Sequence, residues 1–131
     1  MGNIYKTTSR AENFFSMLLT KAGISDNIFI GNIPAAVDSN WKDMVLVDVL
    51  SLKDSGAYAK GSANIFLYAK SVDSQGTKPV KELYRMELAL DNAIESCNDD
   101  HYVIEVNFRD ADYDQNRNYY YNVYNVQVII R

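Results

Sequence analysis

The chain has 131 residues, 47% hydrophobic and 23% charged, with a formal net charge of −4. That length bounds one domain, able to bury about two-thirds of its unfolded surface without metals or cross-links. Such a composition excludes a disordered or collagen-like chain, and the single cysteine, Cys97, excludes an internal disulfide framework.

One cysteine fits a reducing compartment. Met1 to Thr8 is polar and lacks the apolar core of a signal peptide, so none is expected. No apolar run approaches the ~20 residues that a membrane helix needs. Charge is unevenly spread: from Asp91 onward eight acids face three bases, whereas the first 90 residues carry +1. An acidic end does not wrap nucleic acid, because phosphate contacts dominate that affinity.

In chain order, Ser9-Arg10-Ala11-Glu12 has the form of a capping box. It opens a helix whose apolar face is Ala11, Phe14, Phe15, Leu18, Leu19 and Ala22, ending at Gly23 as the left-handed cap. Ile28-Phe29-Ile30 reads as a short strand, stopped by Gly31-Asn32 and Pro34. A loop to Trp41 follows, with Trp41 expected as a plug on the core. Met44 to Ser51 is a strand apolar on both faces and so expected inside the sheet, with Asp48 as its single interruption. If Asp48 were buried it would need a partner; otherwise it marks an open sheet face.

Asp54-Ser55-Gly56 signals a turn. Ala57 to Lys70 is then a long strand with small or aliphatic residues at odd positions and Tyr58, Lys60, Ser62, Asn64, Phe66, Tyr68 and Lys70 at even ones. The small face admits a helix at close range, and Gly61 suggests a bulge or bend. The hairpin 44–70 is long enough that it is expected to overhang a small sheet. Thr77 is placed to cap a second helix, with Pro79 in its first turn. That helix runs to about Cys97 on a stripe of Leu83, Met86, Leu90, Ala93 and Cys97, widened by Val80, Tyr84 and Ile94, where Cys97 reads as a small buried hydrophobe.

Tyr102 to Arg109 and Tyr119 to Ile130 form a terminal hairpin, joined by Asp110 to Asn118 read as a loop. The last strand has two uncharged faces. One, with Tyr120, Asn122, Tyr124, Val126, Val128 and Ile130, continues as core. The other carries Tyr119, Tyr121, Val123, Asn125, Gln127 and Ile129, and Tyr enrichment without charge is what interface centres show. Tyr119, Tyr121, Asn125 and Gln127, with Tyr58 and Lys60 from the long hairpin, are therefore the candidate interface; the competing reading is an inner strand covered by its own loops.

Residues able to do chemistry are few. Asp110, Asp112, Asp114 and Asn116 alternate as calcium ligands do, but the loop positions that require Gly and Glu hold Gln115 and Tyr121, or Arg117 and Val123. No metal is expected there, and the acids read as turn formers. Any triad, zinc site or histidine base would need His101, the only histidine, which falls at a helix-to-strand junction beside Asp99 and Asp100. No phosphate-cradling glycine loop occurs. Lys60 and Lys70 among Tyr58, Phe66 and Tyr68 offer only thin support for single-strand binding. No enzyme activity, cofactor or membrane contact is expected.

The whole reads as one α+β domain over 1–131, in the order α-β-β-β-α-β-β, with two helices on one face of a mostly antiparallel four- to five-stranded sheet. That order, the length, the scarcity of catalytic residues and the long hairpins resemble the tail terminator and minor tail proteins of tailed bacteriophages. The part most alike is the acidic stretch running into Asn118-Tyr-Tyr-Tyr-Asn-Val-Tyr-Asn-Val-Gln-Val. The resemblance implies a structural virion subunit, assembled in the bacterial host cytoplasm. It would form a homo-oligomeric ring at the tail end or head–tail junction, against other tail or connector proteins. DNA would pass through its lumen without specific binding. The alternative is a cytoplasmic α+β domain: one that binds a small ligand, or acts on it, in a pocket between helix and sheet lined by Tyr84, Phe66, Trp41 and tyrosines of the last strand, or an adaptor that adds a strand at an open edge.

Overall fold

The computed structural model describes residues 8–38, 40–98 and 101–131. The elements are α1 (Thr8–Ala22), β1 (Ile28–Ile30), β2 (Asp43–Asp54), β3 (Ala59–Lys70), α2 (Val80–Cys97), β4 (Tyr102–Asp114) and β5 (Tyr119–Ile130). This is an α+β fold with a five-stranded sheet ordered β1-β2-β3-β5-β4. Every strand pair is antiparallel except β1 with β2, so the sheet is mixed.

Both hairpins pair locally, and the halves join through β3 and β5, from Ala59 opposite Ile130 to Lys70 opposite Tyr119. β5 therefore flanks β3 along its full length, and the hairpin 44–70 does not overhang the sheet. β2 is an inner strand only at Val45 to Val47, where β1 pairs with it; from Asp48 onward its outer side has no strand partner among the described residues.

Both helices lie on one face because that face is mostly apolar or small, with Asn122 and Arg109 as polar exceptions toward the β4 margin. Phe15 and Leu19 of α1 and Leu83, Met86 and Leu90 of α2 pack over Val45, Val47, Ile65, Leu67, Val126 and Val128. Burying a side chain of that size contributes about 1.5–3 kcal/mol. Ala59, Ala63 and Ala69 of β3 are fully buried and leave room for the helices at close range. Gly61 is required by β2 rather than by a helix. A Cβ there would sit 2.0 Å from the Ser51 carbonyl oxygen, because β2 bulges between Val49 and Ser51. The second bulge, between Val106 and Phe108, lies nearly level with the first on the other side of the sheet.

The helix ends differ from expectation. α1 begins at Thr8, so Ser9 lies within its first turn and is not the cap. Gly23 does close it, with φ of 66° and its amide donating to the Thr20 carbonyl at 3.2 Å. The N-cap of α2 is Pro79 with no side-chain cap, and Thr77 instead donates its hydroxyl to Asp73 at 2.7 Å. Arg85 ties the layers together, donating to the Ile24 carbonyl at 2.9 Å and pairing with Asp43 at 3.2 Å and Glu82 at 2.6 Å.

The acidic run is strand, not loop. Asp110, Asp112 and Asp114 belong to β4, opposite Val123, Tyr121 and Tyr119, and only residues 115–118 turn. Cross-strand pairing with an aromatic strand overrides the poor strand propensity of aspartate. Asn118 closes the turn at φ of 59°, a conformation asparagine tolerates, and accepts from the Ser71 and Tyr113 hydroxyls at 2.8 and 2.6 Å.

Candidate functional site

The face of the sheet away from the helices is the one the candidate interface residues were placed on, and it divides in two. At one end the connection between β1 and β2 folds over it. Ile33, Val37 and Trp41 pack there on Phe29, Met44, Leu46, Phe66, Tyr68, Tyr119 and Tyr121 as a second, smaller core. Trp41 is the plug expected of it, with its ring 5.6 Å from that of Phe29.

This corrects part of the interface reading. Tyr119 is 2% exposed and donates its hydroxyl to the Trp41 carbonyl at 2.7 Å, so it is core and not available for contact. Tyr121 is half-buried, its ring 5.0 Å from Tyr68 and 5.9 Å from Phe66. Burial raises its hydroxyl pKa, and Asp112 and Asp114 add to the effect. Burial pushes Tyr68 up to about 12. An alternating pattern cannot reveal that a loop distant in sequence will cover half of a strand face.

Beyond the plug the face is open. Asn107 donates to Asn125 at 2.9 Å, and Asn125 donates to Asn64 at 2.8 Å. Three strands thus share an amide ladder, with Asp48 of β2 in the same row. The next row holds Ser51, Ser62, Gln127 and Glu105, the two serine hydroxyls 3.4 Å apart. Asn125 and Gln127 are therefore where the interface reading needs them. Lys60 and Tyr58 stand at the hairpin end, with Tyr58 43% exposed. Asp48 is half-exposed on this open face, the second of its two expected outcomes.

On the helix face, Glu87 and Asp91 of α2 meet Arg109, Asn122 and Tyr124. Asn122 donates to Glu87, Arg109 pairs with Asp91 at 3.2 Å, and its guanidinium lies 4.7 Å over the Tyr124 ring. The buried Tyr124 hydroxyl has no hydrogen-bond partner among the described residues, and burial pushes its pKa up to about 12 against the pull of Arg109. A ladder of alternating residues does not reveal such a cluster, because α2 supplies half of it.

The remaining chemical candidates do not converge. Tyr84 is exposed on α2, on the opposite side of the sheet from Phe66 and Trp41, so these three line no common pocket. In an extended strand the alternate aspartates stand about 6.6 Å apart, and no group of three His, Cys, Asp or Glu able to hold a metal occurs among the described residues. His101 is exposed, and its expected neighbours Asp99 and Asp100 lie outside the described residues. Cys97 is half-buried in a shallow groove between α1 and α2, floored by Leu18, Ala89 and Ala93. No helix among the described residues is long and apolar enough to cross a membrane. Compared with known protein families and with curated proteins, the chain matches none.

Proposed function

We propose that the protein is a structural subunit that assembles with copies of itself, forming a ring in the virion of a tailed phage or prophage at the tail end or head–tail junction. The observation that carries this reading is the uncovered part of the open sheet face. Its amides already bond to one another, as Asn107, Asn125 and Asn64 do, so covering them with a neighbour forfeits few bonds to water. Half-buried Val123, Gln127 and Ile129 flank the ladder without adding charge. A patch whose centre holds self-satisfied polar groups and partly exposed aliphatics, with Asp48, Glu105, Lys53 and Asp110 around it, suits a protein contact better than a small-molecule site, which needs concavity.

The test is the mass of the particle in solution, by sedimentation velocity and native mass spectrometry, with electron microscopy of any assembly. A closed ring is expected. A protein that stays monomeric at the highest attainable concentration refutes the reading. Asn125→Ala should lower the monomer's unfolding free energy by no more than about 1–2 kcal/mol, since a single hydrogen bond contributes about 1 kcal/mol net, while weakening assembly.

A further inference from the structure

Toward each long margin of the sheet a pair of like charges stands beside an exposed apolar residue, and the two pairs are opposite in sign. On the β2 side, the strand is open beyond Val47, and Lys53 stands directly opposite Lys60. Like charges facing each other across strands repel, and neither lysine makes an ion pair with a described residue. Next to them Leu50, the extra residue of the bulge, is 52% exposed. On the β4 side, Asp110 and Asp112 point to the same open face with no basic partner among the described residues. Beside them Phe108, at the second bulge, is 57% exposed. Both bulges present a large apolar side chain outward at the margin; Asp48 precedes the first and Lys53 follows it, while Glu105 precedes the second and Asp110 and Asp112 follow it.

We infer that neighbouring copies meet margin to margin, with Lys53, Lys60 and Leu50 of one subunit against Asp110, Asp112 and Phe108 of the next. This rests on the self-assembly reading above and adds a second contact, at the margins, to the one on the amide ladder. The two surfaces are different, so the contact is head-to-tail. Such a contact propagates into a ring when its rotation closes. The lysine pair then gains the counter-charge it lacks within its own chain, and the aspartates lose their mutual repulsion. The bulges and charges guard both edges against indiscriminate strand pairing and leave one complementary partner, the opposite edge of another copy.

The test uses the full chain in two forms. One is Lys53→Glu with Lys60→Glu; the other is Asp110→Lys with Asp112→Lys. All four positions are exposed, and circular dichroism with urea unfolding verifies that each form is folded. If either does not fold, Lys53→Ala with Lys60→Ala and Asp110→Asn with Asp112→Asn take their place. Each charge-reversed form alone should associate at least about tenfold more weakly than wild type, because like-charge juxtaposition at a contact costs several kcal/mol. An equimolar mixture should assemble again, since every contact then pairs an acidic margin with a basic one, and high salt should weaken that recovery. For the neutral pairs the expected result is a smaller weakening, and mixing restores only the contact in which the intact aspartates of one form meet the intact lysines of the other, so pairs form without a closed ring. Wild-type-like assembly by the altered forms overturns the margin contact while leaving self-assembly standing. A wild type that remains monomeric overturns both.

Discussion

Replacing Gly61 with alanine tests how tightly the bulged β2 is clasped by β3. The added Cβ would lie 2.0 Å from the Ser51 carbonyl oxygen and 2.9 Å from the Leu52 Cα, and ordinary contact begins at 3.4 Å. The strands must therefore separate by more than an ångström at a point where the opposing atoms are backbone and no side chain can turn aside. Overfilling a packed core costs typically 1–3 kcal/mol. Here the ladder on both sides resists the shift, so about 3 kcal/mol is expected. For a domain between the small and medium size classes, that loss lowers the melting temperature by on the order of 10 °C. Urea unfolding followed by far-ultraviolet circular dichroism gives the free energy. Gly23→Ala is the comparison: it meets no atom within 4 Å but sits at φ of +66°, so it should cost only about 1 kcal/mol. A Gly61→Ala protein within about 0.5 kcal/mol of wild type would refute the close approach of β2.

Two further outcomes follow from the tyrosines. Tyr119→Phe removes the hydroxyl that holds the Trp41 carbonyl at 2.7 Å. It should cost about 1–2 kcal/mol with one partner left wanting, and Trp41 fluorescence should shift toward a more solvated environment in the same variant. Tyr68 and Tyr124 have hydroxyls raised from 10.0 to about 12 in the folded protein. The fold therefore holds their protons where the unfolded chain releases them, so their contribution is intact below pH 10 and is lost as pH climbs through about 12. The loss is bounded at about 3 kcal/mol per residue. Urea midpoints across that window should fall, and Tyr124→Phe should remove part of the fall while leaving neutral-pH stability unchanged or higher, since its hydroxyl is unpartnered. A flat midpoint between pH 9 and pH 12 would overturn the assignment of buried, protonated tyrosines.

Much of the fold was legible because periodicity reports burial. The small odd positions of β3 and Leu83, Met86, Leu90 and Ile94 of α2 face the core as their spacing requires, whereas Val80 and Tyr84, which widen the α2 stripe, are exposed. What escaped was set by neighbours. The aspartates of β4 have the composition of a turn, and only the facing strand makes them extended. Thr77 has the right type for a helix cap, but Asp73, four residues earlier, captures its hydroxyl. Of the candidate interface, Asn125, Gln127 and Lys60 lie on the open face by alternation, whereas Tyr58 falls in the turn before β3 and not in the strand expected to hold it. Tyr119 does not, because the cover over it comes from residues 33–41, which carry no periodic signal.

The seam between β3 and β5 also governs how the domain is made. Its partners lie between 49 and 71 residues apart along the chain, from Lys70 with Tyr119 to Ala59 with Ile130. Each hairpin closes over a short turn and can form early; the seam has to bring two finished hairpins together across α2, and such distant pairing is slow. Until it closes, β3 offers a bare edge of alanines and aliphatics. The rate of seam closure therefore sets the concentration at which productive folding gives way to aggregation. Once closed, amide protons along β3 and β5 should exchange only through global opening, while those on the outer margin of β2 beyond Val47 exchange through local fraying.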